Sequence, residues 1–243
     1  MDNLVNSKAL VTGATKGIGL AVTKMLLKDG VEVNALGRDF SRFSENTLAD
    51  FVGDSLQQIQ CDLSNLQALE KALTTLPRDI GLLVLNAGFG RFGGLEQFSF
   101  AQIKEVVDTN LVSNLYLLKH YLPLMKANGG GDIVLVGSES ALQGAKAGSV
   151  YCASKFAIRG LAQSIRAECA NSNIRVNLVN PGPTDSQFFD QLNFAPMQGR
   201  DFVLDPEDVQ QAIYAALQQP RHVVTEEINL QPMKRSFQKN KAR

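Results

Sequence analysis

Residues 8–28 read KALVTGATKGIGLAVTKMLLK. Lys8 to Thr12 is an apolar run of strand length, and Gly13, Gly17 and Gly19 follow within seven residues. Leu20 to Lys28 then carries apolar residues at helical spacing and stops near Gly30. Strand, glycine turn, helix is the context that a dinucleotide-binding loop requires. Glycines let backbone approach a pyrophosphate closely, and the first turn of the helix offers unpaired N–H groups and a positive dipole end to the phosphates. The candidate contacts are Gly13, Thr15, Lys16, Gly17, Ile18 and Gly19. Their spacing is G-x-x-x-G-x-G, not the commoner G-x-G-x-x-G, and alone it would also fit a plain tight turn.

Outward from this stretch the same alternation continues. A second strand, Val31 to Leu36, ends in Gly37-Arg38-Asp39, where a dinucleotide fold meets the adenosine ribose. Arginine suits the 2′-phosphate of NADP and an acidic group the 2′-hydroxyl of NAD, so Arg38, with Lys16 as a second cation, favours NADP(H) while Asp39 keeps NAD(H) open. A helix is expected around 41–52 and a strand over Leu56 to Gln60. Asp62 next to it either accepts from the adenine amino group or serves as a turn and capping residue. Helix Asn65 to Leu76 leads to Ile80 to Leu85, a continuous apolar run that indicates a strand buried on both faces of a parallel sheet. Asn86, Ala87 and Gly88 follow it, small enough to let a ligand pack against backbone in the crevice at the strand ends.

A long helical pattern runs from about 101 to 126 and contains Asn110. The strand Asp132 to Gly137 delivers Ser138, a helix extends from 149 to about 170, and the strand Ile174 to Val179 ends at Asn180-Pro181-Gly182-Pro183-Thr184. Asp205 caps a last helix with Pro206 at its first position, and Val223 to Leu230 reads as the final strand. No linker, repeat or composition break interrupts the series. The expected fold class is α/β: one Rossmann-type, doubly wound parallel sheet with helices on both faces over 1–243. The segment 185–200 loses periodicity and is rich in Phe, which suggests a mobile substrate lobe over the crevice. The basic tail 234–243 reads as a solvated end.

Composition excludes several classes. The 24 basic residues balance 24 acidic ones, so nothing points to nucleic acid or an anionic membrane surface. No apolar run reaches the roughly 18 residues of a membrane span, and the first residues carry no basic-flanked apolar leader, so a cytoplasmic location is expected. Cys61, Cys152 and Cys169 are odd in number, widely spaced and without C-x-x-C pairing, which fits reduced thiols and no metal site.

The chemistry concentrates between Ser138 and Lys155. Tyr151 and Lys155 lie four apart on a helix and share a face, so the ammonium is expected near the phenol. A nearby cation favours phenolate and lowers a tyrosine pKa from about 10, which suits acid–base work on an alcohol or a carbonyl.

TGATKGIG at 12–19, NAG at 86–88, Asn110, Ser138, YCASK at 151–155 and NPG at 180–182 stand in an order and at separations that resemble the short-chain dehydrogenase/reductase family over nearly the whole chain. The resemblance implies a catalytic tetrad of Asn110, Ser138, Tyr151 and Lys155. Tyr151 would exchange a proton with the substrate oxygen and Ser138 would hydrogen-bond it. Lys155 would tune Tyr151 and bind the nicotinamide ribose, and Asn110 would hold a water. It also implies that the segment after Pro181 and Gly182 touches the nicotinamide through Thr184 or Ser186, and that the helices at 101–126 and 149–170 pair in a homodimer or homotetramer. The expected activity is NADP(H)-dependent interconversion of a carbonyl and an alcohol on a small or medium substrate. The rivals are a 3-oxoacyl-carrier-protein reductase and a catalytically silent dinucleotide-binding sensor or scaffold.

Overall fold

Strands with apolar side chains on both sides are stable only between two layers of helices, and that is how this chain is built. The computed structural model describes residues 8–41, 48 and 55–239. The strands of the main sheet are β1 (Lys8–Thr12), β2 (Glu32–Gly37), β3 (Leu56–Gln60), β4 (Ile80–Leu85), β5 (Gly131–Val136), β6 (Ile174–Pro181) and β8 (Glu227–Leu230). They lie in the order β3-β2-β1-β4-β5-β6-β8, every pair parallel. On one face α1 (Gly17–Lys28) and α6 (Pro206–Leu217) pack against Ala9, Val11, Val33, Leu82 and Val134. On the other, α2 (Leu66–Leu73), α4 (Ser113–Ala127) and α5 (Ser149–Cys169) cover Leu10, Leu83, Leu85, Ile133 and Leu178. Neighbouring residues on β1, β4 and β5 thus enter opposite layers, as the two-residue period of a strand requires.

The chain leaves β1 for β2 on one side and later returns to β4 on the other. The order of the strands therefore switches between β1 and β4, and a crevice opens at their carboxyl ends. The loops after β1, β4, β5 and β6 gather around it.

Three expectations change. The helix expected over 101–126 is two, α3 (Phe100–Val107) and α4, joined by a π-helical turn at Asp108–Val112 that contains Asn110. The last strand begins at Glu227 and not at Val223, because its register starts where Leu178 of β6 offers it a partner. Within the tail Phe237–Lys239 forms a short strand, β9, antiparallel to β7 (Phe194–Pro196) of the 185–200 lobe, its side chains still exposed. Its ladder and the ion pair of Lys234 with Asp201 (2.6 Å) bind it to that lobe. The helix expected around 41–52 falls almost wholly outside the described residues.

At the amino end of the sheet, opposite the crevice, Asp132 is buried between two guanidinium groups. Its carboxylate accepts from Arg175 Nε at 2.6 Å and from Arg221 Nη1 at 2.8 Å, while Arg175 also donates to the carbonyls of Leu217 and Gln219. This network ties β5 and β6 to the end of α6. Removing the carboxylate leaves a buried, uncompensated cation, so Asp132→Ala should lower the unfolding free energy by about 3–5 kcal/mol, read from denaturant midpoints.

Candidate active site

The glycine loop is a close backbone contact. Gly13 (φ 64°) and Gly17 (φ 53°) adopt the left-handed conformation that costs a residue with a Cβ. A Cβ on Gly19 would lie 2.2 Å from the carbonyl oxygen of Gly13, so α1 can start against the loop only without a side chain there. That helix has no side-chain cap at Lys16 and no acidic residue in its first turn. Its positive end is left for an anion.

The NAG motif proves to be a staple. The N–H groups of Asn86 and Ala87 both donate to Thr12 Oγ1 at 3.0 Å, and Asn86 Nδ2 donates back to the carbonyls of Thr12 (3.0 Å) and Gly13 (3.3 Å). Asp62 plays its turn role, since Oδ1 accepts from the backbone N–H and the hydroxyl of Ser64. Asp39 Oδ1 accepts from the N–H of Ser41 at 2.8 Å. Of the two hydroxyls after Gly182, that of Thr184 is turned back onto the Gly182 carbonyl at 3.1 Å. The Ser186 hydroxyl likewise donates to the Thr184 carbonyl at 3.4 Å, while its Cβ lies 3.2 Å from where a Cβ on Gly17 would stand.

On the other side of the crevice α5 carries Tyr151 and Lys155 one turn apart, both buried. Tyr151 shares a hydrogen bond with Ser138, and Lys155 donates to the carbonyl of Val136 at 3.1 Å, with its Nζ 5.8 Å from the Tyr151 ring centroid. Asn110 sits behind them. Its Oδ1 accepts from the N–H of Phe89 at 3.0 Å, and its Nδ2 donates to the Phe89 carbonyl and to Ser154 Oγ, each at 3.0 Å. One amide thus fixes both the loop after Gly88 and the residue preceding Lys155. The π-helical turn leaves the Asn110 carbonyl to accept from Asn114 Nδ2 at 2.8 Å.

Burial sets the electrostatics. It raises Tyr151 to about 12, the bond to Ser138 opposing it and the nearby Glu139 carboxylate adding to it. It lowers Lys155 to about 8. The expectation that Lys155 would pull the phenol below its ordinary value is not met in this state: withdrawal of water from the phenolate sets the direction of the shift.

These residues line one cavity of about 1150 Å³. Gly13, Thr15, Lys16, Gly17, Ile18, Arg38 and Asp62 border one part of it, and Ala87, Gly88, Ser138, Tyr151, Lys155, Pro181, Gly182, Thr184 and Ser186 continue the wall. Gly19 and Asn110 do not line it and act from behind. Sequence reasoning missed Thr12 and Ser154, whose hydroxyls position their neighbours, although both lie inside motifs that it quoted. The apolar lobe expected over 185–200 supplies Phe188 and Phe194 to the cavity wall, and what sequence reasoning missed is that Phe92 and Phe237 join them there.

A family model described as short chain dehydrogenase matches residues 7–195. The NADP-dependent 3-hydroxy acid dehydrogenase of Shigella flexneri is 31% identical over 241 residues, which cover 94% of this chain and 96% of that protein. Among solved structures, the closed form of a serine dehydrogenase complexed with NADP+ superposes with a TM-score of 0.81 at 27% identity, over 97% of this chain and 99% of that one. A 4-hydroxyisoleucine dehydrogenase complexed with NADH gives 0.80 at 26%, over 93% and 98%. No helix among the described residues is long and apolar enough to cross a membrane. With its glycine loop, its strand order and a match over most of its length, the chain belongs to the short chain dehydrogenase family, oxidoreductases of alcohols and carbonyls that use a nicotinamide dinucleotide.

Proposed function

We propose that this chain is an NADP(H)-dependent oxidoreductase that interconverts a carbonyl and an alcohol on a small or medium substrate. The observation that carries the reading is the placement of a buried Tyr151, hydrogen-bonded to Ser138 and one turn from Lys155, on the wall of the cavity that the glycine loop also borders. The loop fits a pyrophosphate because its close backbone approach excludes side chains and its helix end holds no carboxylate of its own.

When bound, the reduced nicotinamide supplies the hydride that the carbonyl carbon accepts. Tyr151 gives its proton to the carbonyl oxygen, which stays on its carbon as the alcohol hydroxyl, and takes the proton back in the oxidative direction. Ser138 donates to the same oxygen, where negative charge develops. Lys155 holds the nicotinamide ribose and supplies positive charge behind the phenol. Asn110 is a positioning residue, its amide committed to Phe89 and Ser154. Thr184 or Ser186, both on the cavity wall after Gly182, would touch the nicotinamide. For the choice of cofactor, Arg38 is exposed on the cavity wall while Asp39 is committed to a local turn, which supports NADP(H).

Tyr151→Phe should lower turnover by about 10²-fold or more and leave NADPH binding measurable by calorimetry. Reduction requires a protonated Tyr151, which holds its proton up to about pH 12, so its kcat/KM should stay flat with rising pH until Lys155 begins to discharge near pH 8. Oxidation needs the phenolate and should climb with pH across the same range; pH profiles in both directions read this.

Arg38→Leu should raise KM for NADPH by roughly tenfold and KM for NADH much less, because the arginine's charge-assisted bond is to the 2′-phosphate alone.

Pairing through α4 and α5 completes the reading, since Leu115 and Phe156 on these helices are 41% and 44% exposed. Light scattering should give a homodimer or homotetramer, and Phe156→Asp should shift it toward the monomer.

A further inference from the structure

The cavity beyond Tyr151 is built from rings. Phe92 lies 5.3 Å from Tyr151 and 5.0 Å from Phe194, centroid to centroid. Phe188 stands 5.6 Å from Tyr151, and Phe237 packs 5.8 Å from Phe194. The four phenylalanines come from separate places: the loop after β4, the lobe after β6, β7 and β9. No single local pattern accounts for their convergence beside the phenol.

Two of the guanidinium groups near these rings are held in ion pairs. Arg235 is ion-paired with Glu139, the residue after Ser138, and Arg91 with Glu105 at 3.2 Å. Lys146, also on the wall, is exposed to water. A carboxylate brought among the rings would give up its hydration, and the guanidinium beside Ser138, that of Arg235, is already paired with Glu139; Arg91 pairs with Glu105 through one nitrogen and keeps its buried Nε without a partner. An aromatic or alkyl group would instead exchange water for ring faces and edges.

We propose that the site takes an uncharged, largely apolar carbonyl or alcohol of the aryl ketone and aryl aldehyde class, seated among Phe92, Phe188, Phe194 and Phe237. In this proposal the Glu139–Arg235 pair closes the site to short hydroxy acids and oxo acids. It rests on the reading of the chain as a carbonyl–alcohol oxidoreductase and narrows it. The substrates named for two of the relatives, a 3-hydroxy acid and serine, carry a carboxylate, so the proposal sets this chain apart from them.

The test measures kcat/KM of the full-length protein with NADPH for acetophenone and benzaldehyde and for 3-oxobutanoate, and with NADP+ for 1-phenylethanol and for 3-hydroxypropanoate and serine. The aryl substrates should exceed the acids by about tenfold or more in each direction. Acids turned over as well as or better than aryl substrates would overturn the proposal and leave the oxidoreductase reading intact. No turnover of any of them, with NADPH binding retained, would overturn both. Glu139→Gln releases Arg235, so the acid-to-aryl ratio of kcat/KM should rise about tenfold or more. An unchanged ratio would overturn the role of the pair. Phe194→Ala should raise KM for acetophenone more than for 3-oxobutanoate, and an equal rise for both would overturn the ring site. Should either variant fail to fold, the ranking of substrates by the unaltered protein still decides.

Discussion

Thr12 and Asn86 hold the carboxyl ends of β1 and β4 together at the point where the strand order reverses, and the site is hung from that junction. The Thr12 hydroxyl accepts from two successive N–H groups after β4, and the Asn86 amide returns the favour to two carbonyls after β1. Each bond contributes only about 1 kcal/mol net, but an orphaned partner in this buried place costs more, so the set is cooperative. The staple lets the glycine loop press against β4: a Cβ on Gly13 would stand 2.9 Å from Asn86 Nδ2, and one on Gly19 2.6 Å from it. The glycine loop is thereby held against the end of β4.

Across the crevice the governing constraint is loss of water. Tyr151 and Lys155 are both driven toward their neutral forms, the phenol up to about 12 and the ammonium down to about 8. For the lysine the sign of the linkage is clear. Its folded pKa is below the unfolded value, so the unfolded chain binds more protons between about pH 8 and 10.5, and burial of this charge lowers stability below that window and relaxes through it. Positive charge is kept here at a cost to the fold, and the Val136 carbonyl is the acceptor that makes it tolerable. The rings on one side and the packed helix on the other are what withhold the water.

The polypeptide after β8 extends this enclosure. Arg235 reaches Glu139 next to Ser138, and Phe237 joins the rings of the lobe, so a segment that reads as a polar end becomes a wall of the cavity. The short β7–β9 ladder holds this wall in register with the lobe.

The sequence by itself determined the layered sheet, the glycine loop and the shared face of Tyr151 and Lys155. Each follows from a local period: the runs Lys8 to Thr12 and Ile80 to Leu85, the glycines between strand and helix, and a four-residue spacing along one turn. Only the tertiary structure decided what surrounds them. The Glu139–Arg235 pair joins residues 96 apart, the amide of Asn110 meets Ser154 44 positions away, and four phenylalanines converge from four segments. The direction of the Tyr151 shift was set in the same way. Spacing put a cation one turn away, whereas the burial that sets the direction comes from residues distant in the chain, and no local period encodes how far water is excluded.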